Sequence, residues 1–147
     1  MKYIKEISAT ETYQVRHAIL RTGRPLETCR FDGDDLASTK HFGLYIDGHL
    51  SGVVTLLEKN SHLFQTPNQF QLRGMAVAEA HQRQGYGVEL VNHSEEYIMS
   101  KGGALIWFNA RVVAVPFYQK MGYQTAGNVF EIADVGAHYV MSKTIIP

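Results

Sequence analysis

One stretch of this sequence, Met75-Ala76-Val77 followed by Gln82-Arg83-Gln84-Gly85-Tyr86-Gly87, joins a predicted strand to the start of a predicted helix. Glycines in such a turn let backbone N–H groups approach a ligand closely, and the helix dipole adds positive potential. These are the properties of a pyrophosphate-binding turn. The two glycines are also compatible with a turn that only shapes the chain. A dinucleotide-binding fold is not indicated, because that fold has such a turn after its first strand, with a third glycine.

Apolar periodicity and turn residues predict the elements on either side of this stretch. Ser8 and Glu11 have the spacing of a capping box, which marks the start of a helix that runs to about Leu20. Asp47-Gly48 predicts a tight turn between two strands, and the glycines after Lys101 predict the end of the second helix. The predicted order is β-α-β-β-β-α-β-α-β-β, a mixed α/β arrangement around one sheet, with strands at 3–7, 41–46, 49–57, 70–77, 104–108, 129–132 and 137–142 and a third helix at 114–121.

Length and composition indicate one globular domain, residues 1–147, of a cytoplasmic protein. Lys and Arg number 14 and Asp and Glu number 14, so the net charge is zero. Such a balance does not favour binding to nucleic acid or to a membrane surface. Cys29 is the only cysteine, which excludes an internal disulfide, and the seven histidines lack the spacing of a metal site. We expect no metal, no membrane span and no signal peptide.

Two motifs resemble the GNAT (Gcn5-related N-acetyltransferase) superfamily. The first is Gln82-x-x-Gly85-x-Gly87 after a strand, and the second is the strand 104–109 followed by 114–123, which ends in Tyr118-x-Lys-x-Gly-Tyr123. The resemblance implies a mostly antiparallel mixed sheet, flanked by helices and splayed where acetyl-CoA binds as co-substrate. It also implies that acetyl-CoA contacts a set of residues from both motifs: Met75, Ala76, Val77, Arg83, Gln84, Gly85, Tyr86, Gly87, Val88 and Asn109.

A narrower resemblance, spread from end to end of the chain, is to the bacterial glyphosate N-acetyltransferases. It is carried by segments 16–21, 71–76, 109–111, 117–118 and 136–138. The resemblance implies that Arg21, Arg73 and Arg111 bind the acidic groups of the acceptor. It further implies that His138 is the general base and that Tyr118 is the acid near the departing thiolate. Because glyphosate is synthetic, small amino acids with a second acid group, such as aminophosphonates, are better candidates for the acceptor.

The chemistry of these residue types agrees with such roles. Only the neutral form of an amine attacks a thioester, and an imidazole with an ordinary pKa of about 6.5 can remove the proton of the ammonium form. A tyrosine hydroxyl is protonated at neutral pH and can donate to a leaving sulfur. Guanidinium groups match the geometry of carboxylate and phosphonate oxygens. The sequence therefore predicts an N-acetyltransferase of a small anionic amine that acts by direct transfer.

Other interpretations of the same residues remain open. Arg21 and Arg111 could be solvated surface charges, Tyr118 could be a core aromatic, and the cluster Asp32, Asp34 and Asp35 is most simply a solvated loop. The acceptor could instead be a cationic amine or a protein N-terminus, although such pockets favour carboxylates. A non-catalytic acyl-CoA-binding module is a third alternative. The loops 22–39 and 59–68 and the oligomeric state, monomer or homodimer, are not assigned.

Overall fold

A computed structural model shows the chain folded around one seven-stranded mixed sheet. The structure describes residues 1–146. The strand order is β1-β2-β3-β4-β5-β7-β6. The strands are β1 Lys2–Ile7, β2 Lys40–Ile46, β3 His49–Glu58, β4 Gln69–Val77, β5 Leu105–Arg111, β6 Gln124–Ile132 and β7 Gly136–Thr144. The helices are α1 Tyr13–Leu20, α2 Tyr86–Ser100 and α3 Val115–Gln119. The predicted fold class and element order are confirmed.

The residues that predicted the ends of these elements adopt the expected hydrogen bonds and φ angles. Ser8 and Glu11 form the reciprocal capping pair, with Ser8 N–H donating to Glu11 Oε1 at 2.8 Å and Glu11 N–H to Ser8 Oγ at 3.2 Å. Asp47 and Gly48 have φ angles of 49° and 83°, as a tight hairpin turn requires. Gly102 has a φ of 70° at the end of α2.

Several boundaries differ from the prediction, among them those of β5, β6 and α3. Strand β5 continues beyond residue 108 to Arg111, and β6 begins at Gln124 rather than at residue 129. Both extensions are paired with β7, which supplies hydrogen-bond partners that the local sequence does not reveal. Helix α3 is shorter than the predicted 114–121, because residues 112–114 form a 3-10 turn before it and the N–H groups of Met121 and Gly122 donate three residues back, at 3.0 Å each, after it.

The chain forms two compact units and crosses between them three times, at the last residue of β3, within β4 and within α2. The first unit contains Met1–Leu57 and Leu72–Tyr97. Its core includes Ile7, Val15 and Val53, so α1 covers the face of the sheet to which Val53 points. Phe42, opposite Val54 in the ladder, contacts the rings of His93 and Tyr97 in α2. Because adjacent strand residues point to opposite faces, the two helices cover opposite faces of this unit.

The second unit contains Glu58–Gln71 and residues 98–146. Its core is formed by Leu105, Trp107 and Val140, with Phe64, Ala126 and Phe130 packed against them. Within this unit the parallel ladder of β4 and β5 has three pairs, Gln69 with Leu105, Phe70 with Ile106 and Gln71 with Trp107.

Candidate functional site

The predicted pyrophosphate-binding turn lies between β4 and α2 in the first unit. Arg83 and Gly85 adopt left-handed φ angles of 64° and 84°, and α2 begins at the next residue, Tyr86. Gln82 Nε2 donates to the carbonyl oxygen of Val77 at 2.9 Å, which ties the turn to the end of the strand. The conformation of the turn is thus set by two residues with left-handed φ angles and by one side-chain hydrogen bond.

This turn has the features that an anionic group requires. A Cβ atom added at Gly85 would meet no other atom within 4 Å, so the backbone there is open to a ligand. The turn forms the N-terminal end of a 15-residue helix, where free N–H groups and the helix dipole favour an anion. A hollow of about 440 Å³ lies beside it, lined by Ala18, Ile19, Glu79, Gln82 and Arg83. These observations fit a pyrophosphate group.

The other predicted acetyl-CoA contacts differ in exposure. Ala76 is buried in the core of the first unit, so only its backbone could contact a ligand. Met75 is partly buried, and its Cε lies 3.7 Å from the position of a Cβ added at Gly87. Gln84 is exposed, Val88 is partly buried, and Asn109 is exposed on β5 in the second unit, opposite Val140.

Two of the three predicted acceptor arginines converge on one aromatic ring. The guanidinium carbons of Arg21 and Arg73 lie 4.8 Å and 5.1 Å from the centroid of the Phe31 ring. Arg21 donates to the carbonyl oxygen of Leu20 at 3.0 Å, and Arg73 to that of Asp32 at 3.5 Å. Neither guanidinium forms an ion pair with a carboxylate in the described part of the chain, so both retain donors for an acid group.

A third guanidinium, that of Arg16, lies 4.0 Å from the same Phe31 centroid and is completely buried. Arg16 forms an ion pair with Asp34, with Nη1 2.6 Å from Oδ2. The expectation that Asp34 belongs to a solvated loop is therefore wrong for this residue, whose side chain is 1% exposed. Asp35 does fit that expectation, since it pairs with Arg30 at the surface.

The environment of Arg73 is unfavourable to its own charge. Burial lowers the pKa of the Arg73 guanidinium from its ordinary value, and the nearby cations Arg16 and Arg21 lower it further. The carboxylates of Asp34 and Asp32 act in the opposite direction. Of these, Asp34 is already paired with Arg16. The cluster consequently retains excess positive charge that a bound anion would offset.

Strand β4 carries an irregularity beside this cluster. Gly74 has a φ of 63°, and a Cβ added there would come within 3.0 Å of Phe31 Cε2 and 3.3 Å of Arg16 Nε. Arg73 and Ala76 both face α1, although strict alternation would point them to opposite sides. The left-handed residue between them explains this change of side.

His138 has a fixed hydrogen-bond pattern in the second unit. Its side chain is almost completely buried, with the ring against Phe130 at a centroid distance of 5.9 Å. Nδ1 lies 2.7 Å from the carbonyl oxygen of Gly136, which can only accept, so Nδ1 carries the proton. The Nε2 atom is then the free acceptor of the neutral ring. Arg111 lies opposite His138 in the β5–β7 ladder and is exposed.

Tyr118 lies in α3 and is held by aromatic contacts. Its ring centroid is 4.5 Å from that of Phe108 and 5.0 Å from that of Phe117. Burial raises the pKa of the Tyr118 hydroxyl above its ordinary value, so the hydroxyl stays protonated at neutral pH. The sequence-based alternative of a core aromatic is thus partly right, since the ring packs while the phenol remains a proton donor.

Sequence reasoning missed the positions that support these side chains. Phe31 was not singled out, and Arg16 was noted only as part of a matching segment. The available signal was a cation at position 16 of an apolar helix face that includes Val15 and Ile19. Cys29 is buried, and burial raises the pKa of its thiol above the ordinary value.

Two kinds of feature are absent from residues 1–146. No helix there is both long and apolar enough to cross a bilayer. Nor do three or more His, Cys, Asp or Glu side chains come together in that range as a metal ion would require.

Comparison with known proteins gives consistent matches. Residues 5–123 match the sequence model of the Acetyltransferase (GNAT) family. A Bacillus subtilis (strain 168) protein described as "Uncharacterized N-acetyltransferase YitI" is 33% identical over 145 residues, which cover 99% of this chain and 97% of that protein.

Solved structures share the fold. An aminoglycoside 6'-N-acetyltransferase complexed with coenzyme A superposes with a TM-score of 0.76 at 16% identity, covering 99% of this chain and 98% of that one. The ribosomal-protein-S18-alanine N-acetyltransferase from Escherichia coli also superposes with a TM-score of 0.76, at 18% identity, covering 99% of this chain and 94% of that one. At such identities the likeness concerns the fold and does not extend to the acceptor.

Proposed function

This chain belongs to the acetyltransferase (GNAT) family, and from that premise we propose that it acetylates a small amine that carries two acidic groups. It is an N-acetyltransferase that uses acetyl-CoA. The acceptor class is supported by one observation above all. Arg21 and Arg73, for which the family resemblance implies contact with the acceptor, lie over the same Phe31 ring without a carboxylate partner in the described chain.

Electrostatics favour an anionic acceptor over a cationic one. Arg21 and Arg73 share the Phe31 ring with Arg16 and repel each other. Among the described residues, only two carboxylates act against this positive charge at Arg73, those of Asp34 and Asp32, and Asp34 is already paired with Arg16. A carboxylate or phosphonate between them would accept several N–H bonds and relieve that repulsion. A polyamine or an aminoglycoside would add further positive charge instead.

We assign acetyl-CoA to the turn at the start of α2. Arg83, Gly85 and Gly87 would hold the pyrophosphate, together with Gln84, Tyr86 and Val88. Met75, Ala76 and Val77 would offer backbone groups to the pantetheine arm, and Asn109 would contact the same co-substrate. Acetyl-CoA supplies an acetyl thioester that an amine can attack.

His138 is the base in this proposal. With the proton of its ring on Nδ1 and bonded to Gly136, the Nε2 atom can accept a proton from the ammonium form of the acceptor. The Phe130 ring and the burial of the imidazole restrict its rotation. Arg111, on the opposite residue of the ladder, would bind an acid group of the same acceptor.

Tyr118 is the acid in this proposal. Its hydroxyl is protonated at working pH, because burial raises its pKa, and it can donate a proton to the sulfur as the C–S bond breaks. The ring contacts with Phe108 and Phe117 keep the hydroxyl in one place. The acceptor nitrogen loses two protons in the transfer. His138 accepts the first before the attack, and the second, lost as the tetrahedral intermediate collapses, replaces the proton that Tyr118 gives to the sulfur, so that one proton in all is released from His138 to solvent.

Several narrower assignments stay predictions. One is kinship with the bacterial glyphosate N-acetyltransferases, which is supported by the arginines at positions 21, 73 and 111. A single domain over 1–147, a cytoplasmic location and a monomeric or homodimeric state are further predictions from the sequence.

The proposal is tested by thiol release from acetyl-CoA. The acceptors are 2-amino-3-phosphonopropionate, spermidine and a blank without acceptor. We expect release with the phosphonate above the blank and none with spermidine. Release with spermidine alone would overturn the anionic acceptor. No release with either, while acetyl-CoA still binds, would favour the acyl-CoA-binding alternative.

A further inference from the structure

We propose that the buried Arg16–Asp34 ion pair positions the acceptor site, by holding the Phe31 ring on which the guanidinium groups of Arg21 and Arg73 lie. The inference rests on the proposed function, because it concerns how these two arginines bind an acidic acceptor. Arg16 and Asp34 are positioning residues here and have no contact with the acceptor.

The ion pair is attached directly to the backbone of Phe31. Arg16 and Asp34 form a two-point fork, with Nη1 to Oδ2 at 2.6 Å and Nη2 to Oδ1 at 3.1 Å. The Oδ2 atom of Asp34 also accepts the N–H of Phe31 at 2.9 Å. Any rotation of the carboxylate would therefore move the residue that carries the ring.

A second layer of hydrogen bonds holds the pair. Arg16 donates to the carbonyl oxygen of Cys29 at 2.7 Å and to Thr55 Oγ1 at 2.8 Å. His41 Nε2 lies 3.0 Å from the carbonyl oxygen of Asp34, which can only accept, so Nε2 carries the proton. Its Nδ1 then accepts from the Thr55 hydroxyl at 2.7 Å. The loop is thus tied to α1, β2 and β3 with defined donors and acceptors.

Phe31 lies where three cations meet. The guanidinium carbons of Arg16, Arg21 and Arg73 are 4.0, 4.8 and 5.1 Å from its centroid. An aromatic face attracts cations, so the ring can hold groups that otherwise repel one another. The close approach of β4 at Gly74 leaves the ring no room on that side.

Stability alone does not account for this arrangement. A buried ion pair costs so much desolvation that well-packed apolar residues of similar volume are often as stable. One donor of the pair, Arg16 Nε, is buried and has no hydrogen-bond partner among the described residues. The pair fixes the conformation of the loop between α1 and β2. Because Phe31 lies in that loop, the pair also fixes the ring against which Arg21 and Arg73 lie.

Two variants test the proposal, one by altering the ion pair and the other by removing the aromatic ring. Asp34→Asn weakens the anchor, because an amide N–H₂ then faces the donors of Arg16. Phe31→Leu leaves the ion pair and the backbone hydrogen bond and removes the aromatic face. Asp35→Asn is the matched control, since Asp35 also pairs with an arginine, Arg30, but at the surface. The measurements are the KM for 2-amino-3-phosphonopropionate, the KM for acetyl-CoA, and kcat.

We expect both variants to raise the acceptor KM by about tenfold, as the loss of cation–π contacts would. The acetyl-CoA KM and kcat should change by less than about twofold, and Asp35→Asn should match the wild type. A merely structural role would lower thermal stability and leave the acceptor KM unchanged in folded protein, and that result would overturn the proposal. If Asp34→Asn does not fold, Phe31→Leu decides alone. Lack of phosphonate turnover by the wild type would instead contradict the proposed function.

Discussion

Arg111 and His138 occupy directly opposite positions in the antiparallel ladder of β5 and β7, so their side chains leave the sheet on the same face. The imidazole is buried and carries its proton on Nδ1, whereas the guanidinium is exposed. Within residues 1–146, neither Nε2 of His138 nor the Arg111 guanidinium has a hydrogen-bond or ion-pair partner, so a proton acceptor and a cation lie side by side. An acid group bound by Arg111 would bring the amine of the same small molecule towards His138, the proposed base.

Replacing His138 by alanine should lower kcat by about 10²- to 10⁴-fold, the range for loss of a general base. Acetyl-CoA should bind as before, because the turn at the start of α2 is unaltered. Thiol release gives kcat, and isothermal titration gives the affinity for acetyl-CoA. His49→Ala, at an exposed position in the β2–β3 hairpin, is the control and should be fully active. A fully active His138→Ala variant would contradict the assignment.

Replacing Arg73 by methionine should raise the acceptor KM by about tenfold or more, since a charged hydrogen bond contributes about 1.5–3 kcal/mol. The change removes an unfavourably buried cation, so thermal stability should not fall. Arg21→Met and Arg111→Met should act in the same direction. Steady-state kinetics with the phosphonate provide the measurement, and Lys120→Met, at an exposed cation of the second unit, is the comparison. An unchanged acceptor KM in all three arginine variants would refute an anionic acceptor.

Replacing Tyr118 by phenylalanine should lower kcat by about 10²-fold, because the ring contacts remain and only the proton donor is lost. The pH dependence follows from the raised pKa of this hydroxyl. A phenol with a pKa above its ordinary value of about 10 keeps its proton at every lower pH. The wild-type kcat should therefore show no alkaline decline below about pH 10. A decline near pH 8.5 that disappears in Tyr118→Phe would be inconsistent with this assignment.

Replacing Gly85 by alanine should raise the acetyl-CoA KM several-fold and leave the acceptor KM unchanged. Gly85 has a φ of 84°, where a side chain costs about 1 kcal/mol, and a methyl group there would project into the open space of the turn. Gly48→Ala is a closely matched control, because Gly48 has a φ of 83°, is equally uncrowded and lies in the β2–β3 hairpin. Both variants should lose similar stability in thermal melts. Equal acetyl-CoA KM values for the two would argue against the turn as the binding site.

Elements whose cause is local could be predicted from the sequence. The capping pair of Ser8 and Glu11, the hairpin turn at Asp47-Gly48 and the end of α2 at Gly102 each depend on residues within a few positions of one another. The glycines at 85 and 87 likewise indicated an open turn before a helix. Candidate site residues could be named where they matched a family motif, but their surroundings could not.

Features that depend on distant partners were decided by the tertiary structure. Asp34 lies in a polar, glycine-containing loop and is buried only because Arg16, eighteen positions earlier, reaches it from α1. Strand β6 begins five residues before its predicted start because β7 supplies the ladder. At Gly74 the side chains of β4 change face, and the Phe31 ring and Arg16 lie too close there for a side chain at position 74. Local chemistry thus determined the elements and the turn for acetyl-CoA, whereas burial and long-range pairing decided which charges are free to bind an acceptor.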